Sequence, residues 1–156
     1  MPAKDIYHNQ VKNALIKEGW LITDDPLSVQ FGGIDLYVDL GAEKLIAAKK
    51  DEQQIAVEIK SFQSASLTAE FHTAVGQFIN YRIALENEEL DYTLYLAVPV
   101  EIYNSYFQRQ LPQTVIQRYH FKLVIYDIDT QEIVKLAWCE LFLCATLLKI
   151  FTECES

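Results

Sequence analysis

The chain has 156 residues, of which 51% are hydrophobic and 22% charged. That is enough for one domain with a full core, and the proportions are those of a globular protein rather than a disordered one. The formal net charge of −9 argues against tight, unaided binding to nucleic acid, because such binders grip phosphate with a basic surface that releases counterions. A role on nucleic acid then needs a divalent cation that reverses the local field, or a basic partner.

Taken in chain order, the first expectation is a helix beginning at Asp5 or earlier. Its apolar stripe is Tyr7, Val11, Ala14 and Leu15, and Gly19 is its stop. WLIT (20–23) reads as a short strand, followed by a turn at DDP and by SVQF. Gly32 and Gly33 break the chain before IDLYVDL, which is rich in strand formers and reads as one long strand. A turn cluster at KKDEQQ (49–54) separates LIAA from IAVEIKSF, so the pair reads as a hairpin. IAVEIK is apolar enough to be a central, buried strand.

A helix is expected from Thr68 to about Glu86, with His72, Val75, Ile79 and Ile83 as its stripe and Thr68 or Ser66 as its cap. YTLYLAV (92–98) is a further buried strand, ended by Pro99. Residues 101–119 read as one or two short helices interrupted by Pro112, and FKLVIYDI with EIVKLAW as a closing strand pair. This order predicts an α/β fold, a mixed sheet flanked by helices. The three cysteines, Cys139, Cys144 and Cys154, crowd into the last 18 residues and match no paired zinc spacing. Free thiols, no signal-peptide core and no apolar run long enough to span a bilayer point to a cytoplasmic protein with no membrane association.

Chemistry is best signalled by Glu58-Ile59-Lys60. Strand alternation places Glu58 and Lys60 on one face, and a charged pair inside so apolar a run needs a reason. One reason is a strand edge with its charges in water. The other is a site in which Glu58 ligates a hard cation such as Mg²⁺ while Lys60 positions the attacking water. A second carboxylate is then required. Asp35, Asp39 and Glu43 share one parity and therefore one face, provided no bulge intervenes. A hairpin turning at 51–52 sets Leu45 opposite Glu58, which favours Asp39, then Asp35, then Glu43. Gln77 and Tyr81 lie four apart on the second helix. They are either a buried polar pair bonded to backbone, or groups that support the acidic site or contact phosphate. His8 on the first helix could reach the same cleft. No phosphate-cradling loop, nucleotide-binding glycine fingerprint or Ser/His/Asp grouping is present.

These residues carry a resemblance. The stretches PAKDIYHNQVKNALIKEGW, FGGIDLYVDLGAEKLIAA, IAVEIKSF, AVGQFINYR, LYLAVP and VIYDIDTQEIVKLAW resemble the XisH family, the fdxN-element excision-controlling factors of cyanobacteria, over residues 1–138. The resemblance implies a PD-(D/E)xK nuclease-like domain, that is, a restriction-endonuclease-like mixed sheet with an αβββαβ core. It further implies a Mg²⁺ site, a role on DNA and an XisI-like partner protein. Glu58 and Lys60 match the ExK element, and Gln77 and Tyr81 look like the QxxxY element of some of those nucleases. The PD dipeptide is absent, since Asp35 follows Ile34 and Asp39 follows Val38. Residues 139–156 extend beyond the resemblance. Two functions are thus expected: a metal-dependent DNA endonuclease, or a non-catalytic factor that keeps the fold and acts through a partner.

Overall fold

The computed structural model describes residues 3–46 and 51–137. The elements run α1 (His8–Lys17), β1 (Leu21–Asp24), β2 (Leu27–Phe31), β3 (Ile34–Val38), β4 (Leu40–Ile46), β5 (Asp51–Ile59) and α2 (Leu67–Asn87). They continue with β6 (Tyr92–Pro99), α3 (Val100–Asn104), a 3-10 turn (Tyr106–Gln108), α4 (Gln110–Arg118), β7 (Leu123–Asp127) and β8 (Glu132–Ala137).

Six strands form one sheet in the order β1-β4-β5-β6-β7-β8. The β5–β6 and β6–β7 pairs are parallel, and the other pairs are antiparallel. This is the mixed α/β sheet flanked by helices that the order of elements predicts. Alternation along the central strands divides the interior in two. Ile55, Val57, Ile59, Tyr95, Ala97, Val124 and Tyr126 pack with Val11 and Leu15 of α1. Ala56, Leu94, Leu96, Val98, Leu123 and Ile125 pack with Phe71, Phe78 and Tyr81 of α2. The parallel strands are buried on both faces, as parallel strands are. No helix among the described residues is long and apolar enough to cross a membrane.

Several boundaries differ from expectation for physical reasons. The α1 helix begins at His8 rather than at Asp5, whose carboxylate and carbonyl instead accept from the amides of Tyr7 and His8. The helix ends before Gly19, which takes φ +90°, as expected of a stop. The expected long strand over IDLYVDL is broken at Asp39. Its first half pairs with β2 in a separate two-stranded ribbon that turns through Gly32 (φ +56°) and Gly33 (φ +79°). Positive φ at both central residues suits the twist of a two-residue hairpin. The β4–β5 reversal lies between Ile46 and Asp51, so Leu45 pairs with Glu52 and not with Glu58. Residues 51–54, polar enough to read as a turn, are strand because β4 pairs with all four and β6 with Gln54.

The buried stripe of α2 is Phe71, Ala74, Phe78, Tyr81 and Leu85, while His72 and Ile83 are exposed. Apolar residues occur around much of this helix, and the large aromatics take the core side. Ser66 caps it, its hydroxyl accepting from the Ala69 amide at 3.2 Å. Pro112 does not interrupt a helix. It sits in the first turn of α4, where an amide would have no intrahelical acceptor.

Candidate metal centre

The break at Asp39 builds the site. Leu40 pairs with Val57, so the register carried back one residue sets Asp39 beside Glu58. One carboxylate oxygen of Asp39, Oδ2, accepts the Ile59 amide at 2.7 Å, in the place of a ladder carbonyl. Glu58 shares the parity of Ala56 and therefore the α2 side of the sheet. It is only 4% exposed. Its Oε1 lies 3.7 Å from Lys60 Nζ, whose side chain is 17% exposed and opens the site toward solvent.

Two carboxylates side by side in a poorly solvated place disfavour double ionisation. Burial, and then the negative charge of Asp39, push the Glu58 carboxyl up to about 8, against the opposing pull of Lys60. Asp39 is raised as well. Burial is the main cause, opposed by the Ile59 amide and by the charges of His8 and Lys60, and reinforced by Asp5. Tyr81, buried on α2, is pushed upward first by burial and then by Glu58 and Asp39, so its hydroxyl remains a donor facing their field. Gln77 stands one turn earlier on α2. Among the described residues, four buried side-chain N or O atoms have no hydrogen-bond partner: His8 Nδ1, Glu58 Oε2, Gln77 Oε1 and the Tyr126 hydroxyl. Glu58 Oε2 belongs to the carboxylate pair, and His8 is near enough for its charge to act on Asp39. Buried polar atoms are normally satisfied, so Glu58 Oε2 is open to a polar partner.

The loop that carries Lys60 is strapped down by side chains that the sequence reading did not single out. The Lys60 amide donates to the Ala97 carbonyl of β6 at 3.1 Å. The Ser61 amide donates to Asp5 Oδ2 at 3.0 Å. Glu70 accepts from the amides of Phe62 at 2.9 Å and Ser64 at 3.2 Å. Phe62, at φ +54°, is wedged against Phe107 with ring centroids 5.3 Å apart. Asp5 and Ser61 are 56 residues apart, and no local pattern in the sequence announces their contact.

The other predicted residues are placed as follows. Asp35 is exposed on the β2–β3 ribbon, where it accepts from Gln30 Nε2 at 3.0 Å. Parity does not unite it with Asp39, because the chain changes sheets between them. Glu43 lies four residues up β4, opposite Gln54. His8 is buried, with Nε2 2.7 Å from Asp25 Oδ1, and its charge acts on Asp39. The cysteines and the expected extension 139–156 lie outside the described residues.

No group of three or more His, Cys, Asp or Glu side chains that could hold an ion occurs among the described residues. The site therefore offers two carboxylates, Asp39 and Glu58. That set fits Mg²⁺, which binds through one or two carboxylates and retains several waters. Glu58 Oε2, buried and unpartnered, is the oxygen that would face it.

The comparisons agree with this architecture. A family model described as XisH protein matches residues 1–134. An XisH family protein from Nostoc punctiforme PCC 73102 shares 43% identity and a TM-score of 0.76, covering 86% of this chain and 98% of that one. An fdxN element excision controlling factor protein from Anabaena variabilis shares 44% identity and a TM-score of 0.77, covering 87% and 99%. No curated protein matches the chain. Matched over most of its length and in its fold, the chain belongs to the XisH family.

Proposed function

We propose that the chain is a DNA-element excision-controlling factor with a Mg²⁺-dependent endonuclease-like site of the PD-(D/E)xK kind, working with an XisI-like partner protein. One observation carries the reading: Glu58 is buried beside the half-buried Asp39, with its Oε1 3.7 Å from Lys60 Nζ and its other oxygen without any partner. A bound cation would supply charge neutralisation at the phosphate and acidify a water. Asp39 and Glu58 would hold it, and its charge would displace the proton that Glu58 otherwise keeps to about pH 8. The Lys60 ammonium orients the attacking water, and the Tyr81 hydroxyl offers a donor beside the carboxylates. Burial on the α2 side keeps bulk water from competing for these groups.

The net charge of −9 and the Val38-Asp39 sequence in place of PD favour a second reading, a non-catalytic nuclease-fold module that acts through its partner. Cleavage of linear and branched DNA in Mg²⁺ or Mn²⁺, with and without the partner, separates the two. The first reading expects cleavage by the wild type and its loss in Lys60→Ala. Cleavage that survives this substitution removes the mechanism. Absence of cleavage under every condition supports the second reading.

A further inference from the structure

We propose that Glu70 is a positioning residue of the Asp39–Glu58–Lys60 site: it fixes the loop after β5 so that the Lys60 ammonium stays against Glu58. The inference rests on the reading above, in which Lys60 orients the attacking water, and adds the group that keeps it in place. A lysine at a strand end ordinarily leaves its ammonium in water, where its rotamers are free. The Lys60 side chain is instead 17% exposed, with Nζ 3.7 Å from Glu58 Oε1. Its amide donates to the Ala97 carbonyl, which ties the residue to β6 but leaves the chain beyond it unset. That chain is fixed from α2. Both oxygens of Glu70 are used, Oε1 accepting the Phe62 amide at 2.9 Å and Oε2 the Ser64 amide at 3.2 Å.

The turn that these bonds hold is an unfavourable one. Phe62 takes φ +54°, a conformation that a residue with a Cβ disfavours. Such strain persists only where the surroundings over-determine it, and it gathers at functional sites. Here the surroundings are the Glu70 carboxylate, the stronger kind of acceptor for an amide, and the Phe107 ring, 5.3 Å from that of the buried Phe62. Glu70 also shares a face of α2 with Gln77 and Tyr81, which follow it by close to two and three full turns. One helix thus presents the Tyr81 hydroxyl to the field of the carboxylate pair and, from its first turn, grips the loop that carries Lys60. Asp5 ties Ser61 and also acts by its charge on Asp39. The Glu70 carboxylate, among the described residues, bonds only the two loop amides, so it acts on Lys60 through the main chain between them.

The test uses the full chain and acylation by acetic anhydride, followed lysine by lysine in mass spectra with neither metal nor DNA present. Lys17, which donates to the Thr130 carbonyl, is the internal reference. In Glu70→Ala the labelling rate of Lys60 relative to Lys17 is expected to rise by about tenfold, the factor to which one hydrogen bond to a carboxylate corresponds. Glu70→Gln keeps an oxygen for one of the two amides and should fall between Glu70→Ala and the wild type. It decides the matter if Glu70→Ala does not fold. A labelling ratio unchanged in a folded variant, however far its melting temperature drops, overturns the positioning role and leaves a structural strap. Where the wild type cleaves DNA in Mg²⁺, Glu70→Ala should lower kcat with KM kept, and Glu70→Gln should recover part of the rate. A loss confined to KM overturns the role as well. A raised labelling ratio beside a wild type that cleaves nothing removes the nuclease reading while the hold of Glu70 on Lys60 stands.

Discussion

Replacing Glu58 by Gln keeps the shape of the side chain and removes its charge. In the folded chain the Glu58 carboxyl holds its proton to about pH 8, whereas an unfolded glutamate releases it near 4.5. Between those values the folded state binds up to one proton more than the unfolded state. Stability is therefore full below pH 4.5 and falls as pH rises through the window, by at most about 1.4 kcal/mol per pH unit. Summed across the window the loss is of the order of a few kcal/mol. Glu58→Gln has no such proton to lose. Its melting temperature should lie near that of the wild type at pH 5 and exceed it by roughly 5–10 °C at pH 8.5, at about 2–4 °C per kcal/mol for a domain of this size. The assay is thermal unfolding from pH 5 to 9 in chelator, repeated with Mg²⁺. Cation binding should stabilise the wild type by about 2.7 kcal/mol at a hundredfold excess over Kd, and leave the variant unmoved. Curves for the two proteins that run parallel across the whole pH range would refute the paired-carboxylate reasoning.

Asp5→Ala strips acceptors from the amides of Tyr7 and Ser61. It should cost about 1–3 kcal/mol in urea unfolding, with Asp5→Asn recovering part of the loss because its amide oxygen can still accept. Phe78 is 1% exposed and stacks on Phe121 at 4.1 Å. Phe78→Ala should cost about 3–5 kcal/mol by the same measurement, from the lost contact and the cavity left behind.

Local chemistry already determined much of this protein. Two-residue alternation was enough to put Glu58 and Lys60 on one side of a buried strand, and hydrophobic patterning placed α1, α2, β1, β6, β7 and β8 to within a few residues, while β3 and β4 were read as one strand and β2 was not read as a strand. Gly19 and the Gly32-Gly33 pair marked real reversals of the chain, because positive φ is cheap only there. The choice between Asp35 and Asp39 could not be made that way. Both have the same parity, and what separates them is a change of sheet at Asp39, set by the pairing of β2 with β3 and by the hold of Asp39 on the Ile59 amide. The stripe of α2 likewise followed from which aromatics its neighbours could accommodate, a matter of packing across the sheet. Asp5, Asp25 and Glu70 were invisible in the sequence for the same reason. Asp5 holds an amide 56 residues away and Asp25 an imidazole 17 residues away, while Glu70 reaches back 8 and 6 residues to amides of a loop whose course only the closed fold sets.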